Sequence, residues 1–397
     1  MKIAHIVRRF SFNEWGGTES VVWHIARQQK EQGLFPEILC TAALDKVGVE
    51  IVDGITIRRF PYFYPYFPMP EKDKLALDKK GGNPFSPQLM AALKNGEYDI
   101  FHIHAGARMA NCAIKLGRKL AVPCVMSLHG GSCAIPEQEM ALMLQPLKNK
   151  FSYGGIIDRL CNLRKVPESH ADLLLALSRE EVAKLRNRFP GTPVELFPNG
   201  ILHRELPGAG DFREKYHIPS DRKLILCISR IDYQKNQKIL LNIVRHDTNA
   251  HLLLIGPVTA QWYLDELLNE AESVGVKSRL TVIPGLAPDS VELLQALKSA
   301  HCFILPSRHE PFGIAALEAL DAQVPLIASA VGGLRDFLRD GENALLFEDN
   351  DADSLLAAYS RLDVSAGKIV DGGRATAANY NWQSIAARLT DIYRGLL

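Results

Sequence analysis

The sequence predicts an α/β fold built from two Rossmann-like domains that face each other across a cleft. Short apolar segments typical of strands alternate along the chain with amphipathic segments typical of helices. Several strand candidates are apolar at consecutive positions, as expected for a parallel sheet that helices cover on both faces. The alternation occurs in two series, and residues 198–210, which contain proline and glycine, separate them.

Each series supplies enough strands for a sheet of its own. The strand candidates of the first series are residues 2–7, 36–41, 55–60, 100–104, 124–128 and 173–177. Those of the second series are residues 224–229, 252–255, 280–283, 302–305 and 326–328. Crossover helices are expected at residues 19–32, 262–274 and 289–299, and the apolar spacing of residues 381–397 predicts a final amphipathic helix.

Composition and charge argue against several classes of protein. The chain of 397 residues carries a net charge of +1, so no overall field favours nucleic acid. The first residues are too polar for a signal peptide, and no uncharged stretch is long enough to cross a bilayer. The seven cysteines form no Cys-x-x-Cys pair, which is consistent with free thiols in a reducing compartment. The sequence thus predicts a cytoplasmic protein.

Two common nucleotide-binding motifs are absent from the sequence. No G-x-G-x-x-G follows a predicted strand and no G-x-x-x-x-G-K-[ST] occurs, which argues against dinucleotide oxidoreductases and P-loop NTPases. Asp351 and Asp353 have a spacing seen in divalent-metal sites, but they directly precede an apolar helix pattern. Capping and first-turn charge explain them better, so no metal site is expected.

The segment FILPSRHEPFGIAALEAL, residues 303–320, contains the strongest candidate site. A buried strand leads into a loop with Glu310. Phe312 and Gly313 then place free backbone N–H groups at the start of a helix, where a phosphate binds well. Glu318 lies more than one turn inside this apolar helix. Its carboxylate suits the two hydroxyls of a ribose, and the alternative is a position on the solvent-exposed side of the helix.

Three further strand ends carry residues suited to a charged ligand. Arg230 and Lys235 follow the first strand of the second series and can clamp a diphosphate, unless they are ordinary surface cations. Gly16 and Gly17 follow the first strand of the chain and would let the backbone approach a phosphate closely. His129 lies at the end of another strand and is followed by two glycines. It is either a structural histidine or a ligand-binding one.

Taken in this order, these segments resemble the large retaining glycosyltransferase family of GT-B fold numbered family 4, also called the group 1 type. The most specific match is the E-x7-E element from Glu310 to Glu318, paired with the S-R-x4-K element from Arg230 to Lys235. The resemblance covers nearly the whole chain. One departure is the glycine pair near the end of the second series, which lacks the common Pro-Glu after it.

The resemblance implies an acceptor-binding domain at residues 1–200, a nucleotide-sugar-binding domain at 201–377 and a helix at 378–397 that packs back on the first domain. It implies metal-independent, retaining transfer of a hexose-type sugar from a UDP- or GDP-linked donor to an acceptor hydroxyl. The acceptor would be a sugar, a lipid-linked sugar or a small molecule, in polysaccharide or glycoconjugate biosynthesis. A nucleotide-sugar epimerase of the same fold and a catalytically inactive sugar-nucleotide-binding protein are the alternatives.

The resemblance also implies a role for each candidate residue. Arg230 and Lys235 would hold the diphosphate. Glu310 and His129 would contact the donor sugar, and these four residues form the expected catalytic group. Glu318 would bind the ribose of the donor. The other donor-binding positions, near the phosphates, would be Gly16, Gly17, Phe312 and Gly313.

Two segments of the first domain suggest where an acceptor or a membrane would bind. Residues 60–70 read FPYFYPYFPMP, which is either a packed loop or an acceptor-binding surface that includes Tyr64 and Phe67. Residues 147–165 combine five cations with interleaved apolar side chains, which suits either a charged loop or an anionic membrane surface. Peripheral contact with the inner face of the plasma membrane is the corresponding expectation.

Overall fold

The computed structural model describes residues 1–13, 16–79, 81–130, 143–163, 166–208, 210–287 and 290–397. The described chain forms two compact units, one made of Met1–Pro198 with Trp382–Leu397 and the other of Asn199–Asn381. Each unit contains a parallel or mainly parallel sheet with helices packed on it. The predicted α/β class with one sheet in each half of the chain is therefore confirmed.

The first unit contains an eight-stranded sheet and a separate two-stranded one. Its strands are β1 (Lys2–Arg9), β2 (Phe35–Thr41), β3 (Gly48–Val52), β4 (Ile55–Phe60), β5 (Tyr66–Phe67), β6 (Ile100–Ile103), β7 (Cys124–Leu128), β8 (Phe151–Ser152), β9 (Leu173–Ala176) and β10 (Val194–Leu196). The strand order of the large sheet is β10-β9-β7-β6-β1-β2-β4-β3. Neighbouring strands are parallel except for the β3–β4 hairpin at one edge, and β5 pairs antiparallel with β8.

Among the described residues, six α-helices lie between these strands. They are α1 (Gly17–Glu31), α2 (Glu71–Lys79), α3 (Pro87–Asn95), α4 (Ala107–Leu120), α5 (Gly154–Leu160) and α6 (Arg179–Arg188). Local capping explains where several begin. The Ser86 hydroxyl accepts the Leu89 N–H and caps α3, and the Ser178 hydroxyl accepts the Glu181 N–H and caps α6.

The second unit is built on a six-stranded parallel sheet. Its strands are β11 (Lys223–Ile228), β12 (Ala250–Ile255), β13 (Leu280–Ile283), β14 (Cys302–Leu305), β15 (Leu326–Ser329) and β16 (Leu345–Phe347), in the order β13-β12-β11-β14-β15-β16. Its helices are α7 (Phe212–Lys215), α8 (Leu241–His246), α9 (Gln261–Ser273), α10 (Val291–Ser299), α11 (Ile314–Asp321), α12 (Leu334–Phe337), α13 (Ala352–Ser360) and α14 (Leu362–Ala377).

The last helix, α15 (Trp382–Leu396), follows the second unit in sequence but packs in the first. Its buried face includes Trp382, whose ring stacks on His24 of α1 at 5.6 Å between centroids. The Thr390 hydroxyl donates to Gln32 Oε1 over 2.7 Å, which ties the same two segments together. None of the helices that the described residues form is long and apolar enough to cross a membrane.

Parallel pairing places the carboxyl ends of neighbouring strands at one edge of a sheet. In the first unit β6 lies between β1 and β7, so the loops after these three strands are neighbours. In the second unit β14 lies between β11 and β15, which brings the loops after those strands together. The central strands are buried at every position, as in β6 and β12, which explains their continuous apolar sequences.

The structure contains strands that the sequence patterns did not indicate. β3 lies at an edge of the sheet and is largely exposed, so it has no buried apolar side. The others have two or three residues, too few to show a period, and they are β5, β8, β10 and β16.

The prediction that Asp351 caps a helix is confirmed, because its carboxylate accepts the Ser354 N–H at 2.9 Å and caps α13.

Candidate active site

Lys235 and Glu310 form an ion pair at the carboxyl ends of β11 and β14, which are adjacent in the second sheet. Lys235 Nζ lies 2.6 Å from Glu310 Oε2, and both side chains are largely buried. The Ser307 hydroxyl donates to the same carboxylate oxygen over 3.1 Å. A buried carboxylate is costly without such partners, so these contacts hold Glu310 in one position.

Arg230 follows β11 and is oriented by residues of its own loop. Its Nη1 lies 3.2 Å from Asp232 Oδ2, and its Nη2 donates to Gln234 Oε1 over 3.0 Å. Asp232 is buried and also accepts the Lys235 N–H and the Thr259 hydroxyl. The Arg230 side chain remains 36% exposed, so its guanidinium is both oriented and accessible to an anion.

The loop with Glu310 packs against a glycine pair that was not among the predicted site residues. The Gly333 N–H donates to the Glu310 carbonyl oxygen over 2.9 Å. Gly332 has a φ of +48°, and a β-carbon there would lie only 2.2 Å from that oxygen. Both the backbone conformation and the close approach require glycine at this position. Gly332 and Gly333 therefore fix the backbone that carries the Glu310 carboxylate.

Helix α11 begins directly after Gly313, whose φ of +99° is one that glycine adopts without strain. Phe312 is buried against Phe337 and Tyr380, so its side chain belongs to the core of the unit. The first turn of α11 carries no acidic residue, which leaves the positive end of the helix suited to an anion. Glu318 lies on the same helix and is half-buried.

Gly16 and Gly17 stand at the start of α1, immediately after the loop that follows β1. Glu19 is buried and its carboxylate lies 3.1 Å from Arg9 Nε. A β-carbon on Gly16 would lie 2.8 Å from Glu19 Oε2, whereas one on Gly17 would meet no atom of the described residues within 4 Å. Gly16 therefore makes room for the Glu19 carboxylate.

His129 follows β7 and is the first member of a row of hydrogen-bonded side chains inside the first unit. Its Nε2 lies 3.0 Å from His104 Nδ1. His104 Nε2 lies 3.1 Å from His5 Nδ1, and His5 Nε2 lies 2.7 Å from Gln29 Oε1. His5 belongs to β1 and Gln29 to α1, so the row connects the end of the sheet to the helix beside it. The sequence patterns had indicated only His129.

Burial keeps the imidazoles of this row uncharged near neutral pH. It lowers the pKa of His5 from 6.5 to about 4, against a hydrogen bond to Gln29 that raises it. Burial also lowers the pKa of His129 to about 4. The pKa of His104 falls well below 6.5, because of burial first and of the neighbouring histidines second. Each ring therefore carries one N–H and one bare nitrogen.

His5, His102 and His104 bring ring nitrogens within 4.8 Å of one another, a spacing that also suits a metal ion. His102 Nε2 lies 2.7 Å from the Ser127 hydroxyl and its Nδ1 lies 2.5 Å from the Tyr393 hydroxyl. Both ring nitrogens of His5 and of His104 likewise have protein partners. The group therefore fits a hydrogen-bonded network better than a ligand set, which needs free lone pairs.

The two aromatic candidates from residues 60–70 lie in different surroundings. Tyr64 is buried, and its hydroxyl donates to Asp78 Oδ1 over 2.9 Å. Phe67 is 70% exposed and lies opposite Phe151, also exposed, in the β5–β8 pair. The expected acceptor surface is therefore corrected at Tyr64, whose ring is packed inside the unit. Of the two residues, only Phe67 offers a free aromatic face.

The predicted residues fall into two groups according to the unit that contains them. The group in the second unit contains Arg230, Lys235, Glu310, Phe312, Gly313 and Glu318, and that in the first unit contains Gly16, Gly17 and His129. The residues that hold these side chains in place were not predicted; some are local, such as Asp232 beside Arg230, and others, such as Gly332 beside Glu310, are distant in sequence. Among them is Arg9, a half-buried arginine whose Nη1 has no hydrogen-bond partner among the residues that the structure describes.

Comparison with known families matches both halves of the chain. Residues 15–203 match the family described as Glycosyltransferase Family 4. Residues 209–362 match the family described as Glycosyl transferases group 1. The two matches meet close to the boundary between the compact units, and they leave only the chain ends and a short stretch between them unmatched.

Related proteins align with the chain over most of their length. The chain is 27% identical to D-inositol 3-phosphate glycosyltransferase 1 of Catenulispora acidiphila, across 96% of this chain and 91% of the relative. It is 25% identical to D-inositol 3-phosphate glycosyltransferase of Mycolicibacterium smegmatis, across 92% of this chain and 83% of the relative.

Solved structures share the fold at lower identity. Sucrose-phosphate synthase from Thermosynechococcus elongatus is similar with a TM-score of 0.73 and 20% identity, covering 100% of this chain and 98% of that one. HepE from Anabaena, solved in complex with UDP and glucose, has a TM-score of 0.72 at 17% identity, with 100% of both chains covered.

Proposed function

The chain belongs to the group 1 glycosyltransferases of GT-B fold, and from this premise we propose that it moves a hexose-type sugar from a nucleoside-diphosphate sugar to an acceptor hydroxyl, with retention of configuration. The product is part of a polysaccharide or glycoconjugate. The observation that carries the proposal is the Lys235–Glu310 pair beside Arg230, at the ends of adjacent parallel strands.

The second unit is the proposed donor site. Arg230 and Lys235 supply positive charge for the diphosphate, and Lys235 uses one of its three N–H donors on Glu310. The N–H groups at the start of α11, after Gly313, add partial positive charge for a phosphate. Glu318, half-buried on the same helix, accepts hydrogen bonds from the ribose hydroxyls. The site therefore opposes the negative charge of the donor with fixed groups.

The proposed reaction exchanges one bond at the sugar carbon C1 for another. The bond from C1 to the diphosphate oxygen breaks, and a bond from C1 to the acceptor oxygen forms. The acceptor proton passes to the departing phosphate oxygen on the same face, so retention needs no separate protein base. Positive charge develops on the sugar ring and negative charge on the phosphate. Preorganised cations such as Arg230 and Lys235 lower the barrier because they stabilise that negative charge.

Glu310 is proposed to orient the donor sugar. Its Oε2 accepts from Lys235 and from Ser307, and these contacts hold the carboxylate in one position. The fixed carboxylate is better suited to accept hydrogen bonds from sugar hydroxyls. His129, kept neutral by burial, is the second proposed sugar contact and acts as an uncharged hydrogen-bond partner.

Transfer is proposed to proceed without a metal ion, because Arg230, Lys235 and the start of α11 supply the positive charge at the diphosphate. The Asp351 carboxylate is engaged in capping α13, which supports this assignment. UDP- and GDP-linked hexoses are the proposed donors. The structural similarity to HepE, solved with UDP and glucose, favours testing uridine nucleotides first.

Peripheral membrane contact is proposed for the surface around the β5–β8 pair. Phe67 and Phe151 are 70% and 68% exposed, and Ile156 and Leu160 of α5 are exposed as well. Lys148 lies nearby in sequence and is also exposed, and each such cation near an anionic surface adds about 1 kcal/mol. The basic segment is only partly available, because Lys150 lies 2.6 Å from Asp73 and residues 164–165 lie outside the described ones.

One experiment separates this proposal from its alternatives. Consumption of UDP- and GDP-hexoses is measured with and without candidate sugar or lipid-linked acceptors, in excess EDTA. A retaining transferase consumes donor faster with its acceptor and gives a product of unchanged anomeric configuration. An epimerase converts the donor without any acceptor, and an inactive binding protein consumes none. Activity that EDTA abolishes and Mg²⁺ restores would contradict the metal-free mechanism.

A further inference from the structure

The row of side chains from Gln29 to His129 has a direction that its hydrogen bonds impose. The imidazoles of His5, His104 and His129 are neutral at pH 7, since burial lowers the pKa of each. A neutral imidazole donates from one nitrogen and accepts at the other. The position of the proton on one ring therefore decides its position on the next ring.

Gln29 determines the first link. Its Oε1 is an acceptor, so the proton of the His5 ring lies on Nε2, 2.7 Å away. His5 Nδ1 is then bare and accepts the N–H of His104 Nε2 over 3.1 Å. This leaves His104 Nδ1 bare, and it accepts the N–H of His129 Nε2 over 3.0 Å. The remaining nitrogen of the row, His129 Nδ1, is consequently an acceptor.

The Gln29 side chain, at the start of this row, is fully buried. Burial raises the pKa of the Tyr393 hydroxyl and Gln29 lowers it, but Gln29 Nε2 makes no hydrogen bond to any residue that the structure describes. Tyr393 in turn lies 2.5 Å from His102 Nδ1, and His102 Nε2 lies 2.7 Å from the Ser127 hydroxyl. In the structure the Gln29 amide oxygen faces His5, 2.7 Å from its Nε2.

We infer that Gln29 is a positioning residue of the sugar site: through His5 and His104 it fixes His129 in the tautomer with the proton on Nε2. His129 Nδ1 then accepts a hydrogen bond from a hydroxyl of the donor sugar. The second statement rests on the proposed function, whereas the tautomer is a property of the protein alone. No sequence motif suggests this position, because Gln29 lies in the last turn of α1, away from the predicted strand ends.

Nitrogen NMR of isotope-labelled histidine side chains tests the tautomer without any substrate. A protonated and a bare imidazole nitrogen have well-separated shifts, and the loss of one signal set in His129→Gln assigns that residue. The expected spectrum shows His5, His104 and His129 with the proton on Nε2. A proton on Nδ1 of His129 in the unaltered protein would overturn the inference, and so would a stoichiometric metal ion bound by the row.

The variant Gln29→Met removes the acceptor while keeping the length and volume of the side chain. The expected result is a mixture of tautomers at His129. The matched control is Gln28→Met, because the Gln28 amide donates to Glu31 on the other side of α1 and touches no histidine. An unchanged His129 tautomer in folded Gln29→Met would overturn the inference.

Kinetics test the connection to the sugar. Gln29→Met is expected to lower kcat/KM for the donor about tenfold, the size of one hydrogen bond, and Gln28→Met to leave it unchanged. The double variant Gln29→Met/His129→Phe is expected to be no slower than His129→Phe, since both changes remove the same contact. Additive losses would overturn the role at the sugar. If no donor is turned over at all, the proposed function fails, while the tautomer measurement still stands.

Discussion

The Lys235 ammonium and the Glu310 carboxylate are 75 residues apart in sequence and 2.6 Å apart in the structure. The contact forms because β11 and β14 are neighbours in a parallel sheet, so the loops that follow them meet. In the proposed function it joins the cation assigned to the diphosphate to the carboxylate assigned to the sugar. A change at either residue should therefore affect the other.

Removing the cations at the diphosphate is expected to slow transfer and weaken donor binding together. Lys235→Ala and Arg230→Ala should each lower kcat by roughly 10²–10³, because charge on the phosphate grows as the bond breaks. Steady-state kinetics and calorimetry with the free nucleoside diphosphate measure both effects. Lys238→Ala is the matched control, since that ammonium pairs with Glu270 of α9. Unimpaired nucleotide binding in both folded variants would place the donor site elsewhere.

Glu318→Gln is expected to separate binding from chemistry. The ribose changes little during transfer, so losing the carboxylate should mainly raise the donor KM and weaken nucleotide binding, with kcat nearly unchanged. The same substitution at the exposed Glu266 of α9 serves as the control and should change neither constant. A fall in kcat with an unaltered KM would assign Glu318 a role in the transition state instead.

Gly332→Ala is expected to damage both stability and activity. The new β-carbon would lie 2.2 Å from the Glu310 carbonyl oxygen, at a φ of +48° that alanine adopts poorly. We expect a loss of about 2 kcal/mol or more in the free energy of unfolding, and slower transfer because Glu310 shifts. Denaturant unfolding and donor turnover measure these. Gly367→Ala, inside α14 with nothing within 4 Å, should instead stabilise by about 0.5–1 kcal/mol.

Stability is expected to fall as the pH drops below 6.5. The pKa of His5 and of His129 is about 4 in the folded protein and 6.5 when unfolded, so the unfolded chain binds more protons between these values. The stabilisation that the neutral imidazoles give the folded protein is complete above pH 6.5. Below that pH the free energy of unfolding falls by up to about 1.4 kcal/mol per pH unit for each group. Denaturant unfolding at several pH values measures the slope. His129→Gln should reduce it, and the exposed His217→Gln should not.

Exposed aromatic side chains are expected to drive binding to anionic vesicles. Phe67→Ser with Phe151→Ser should lower the bound fraction in flotation assays, because both side chains lose apolar surface that would enter the interface. Phe35→Ser is the control, since Phe35 is 59% exposed at the start of β2. Binding should rise with anionic lipid and fall with salt. An equal effect of the control, or no binding at low salt, would remove the membrane proposal.

The sequence by itself determined the fold class and most of the second unit's site. The continuous apolar runs predicted the buried parallel strands, because helices on both faces leave no polar side. Glu310, Glu318, Arg230 and Lys235 could be proposed as site residues because a fixed spacing within one loop and helix, or within one loop, is visible in a single stretch of chain.

Only the tertiary structure decided what holds these residues in place. Gly332 supports Glu310, and Gln29 reaches His129 through two histidines, by contacts between segments that are distant in sequence. The tertiary structure also places Tyr64 inside the first unit and Phe67 on its surface, although both belong to one aromatic segment. Local patterns determine which segments form strands and helices, whereas the order of strands in the sheet determines which side chains meet. That order depends on packing of the whole domain.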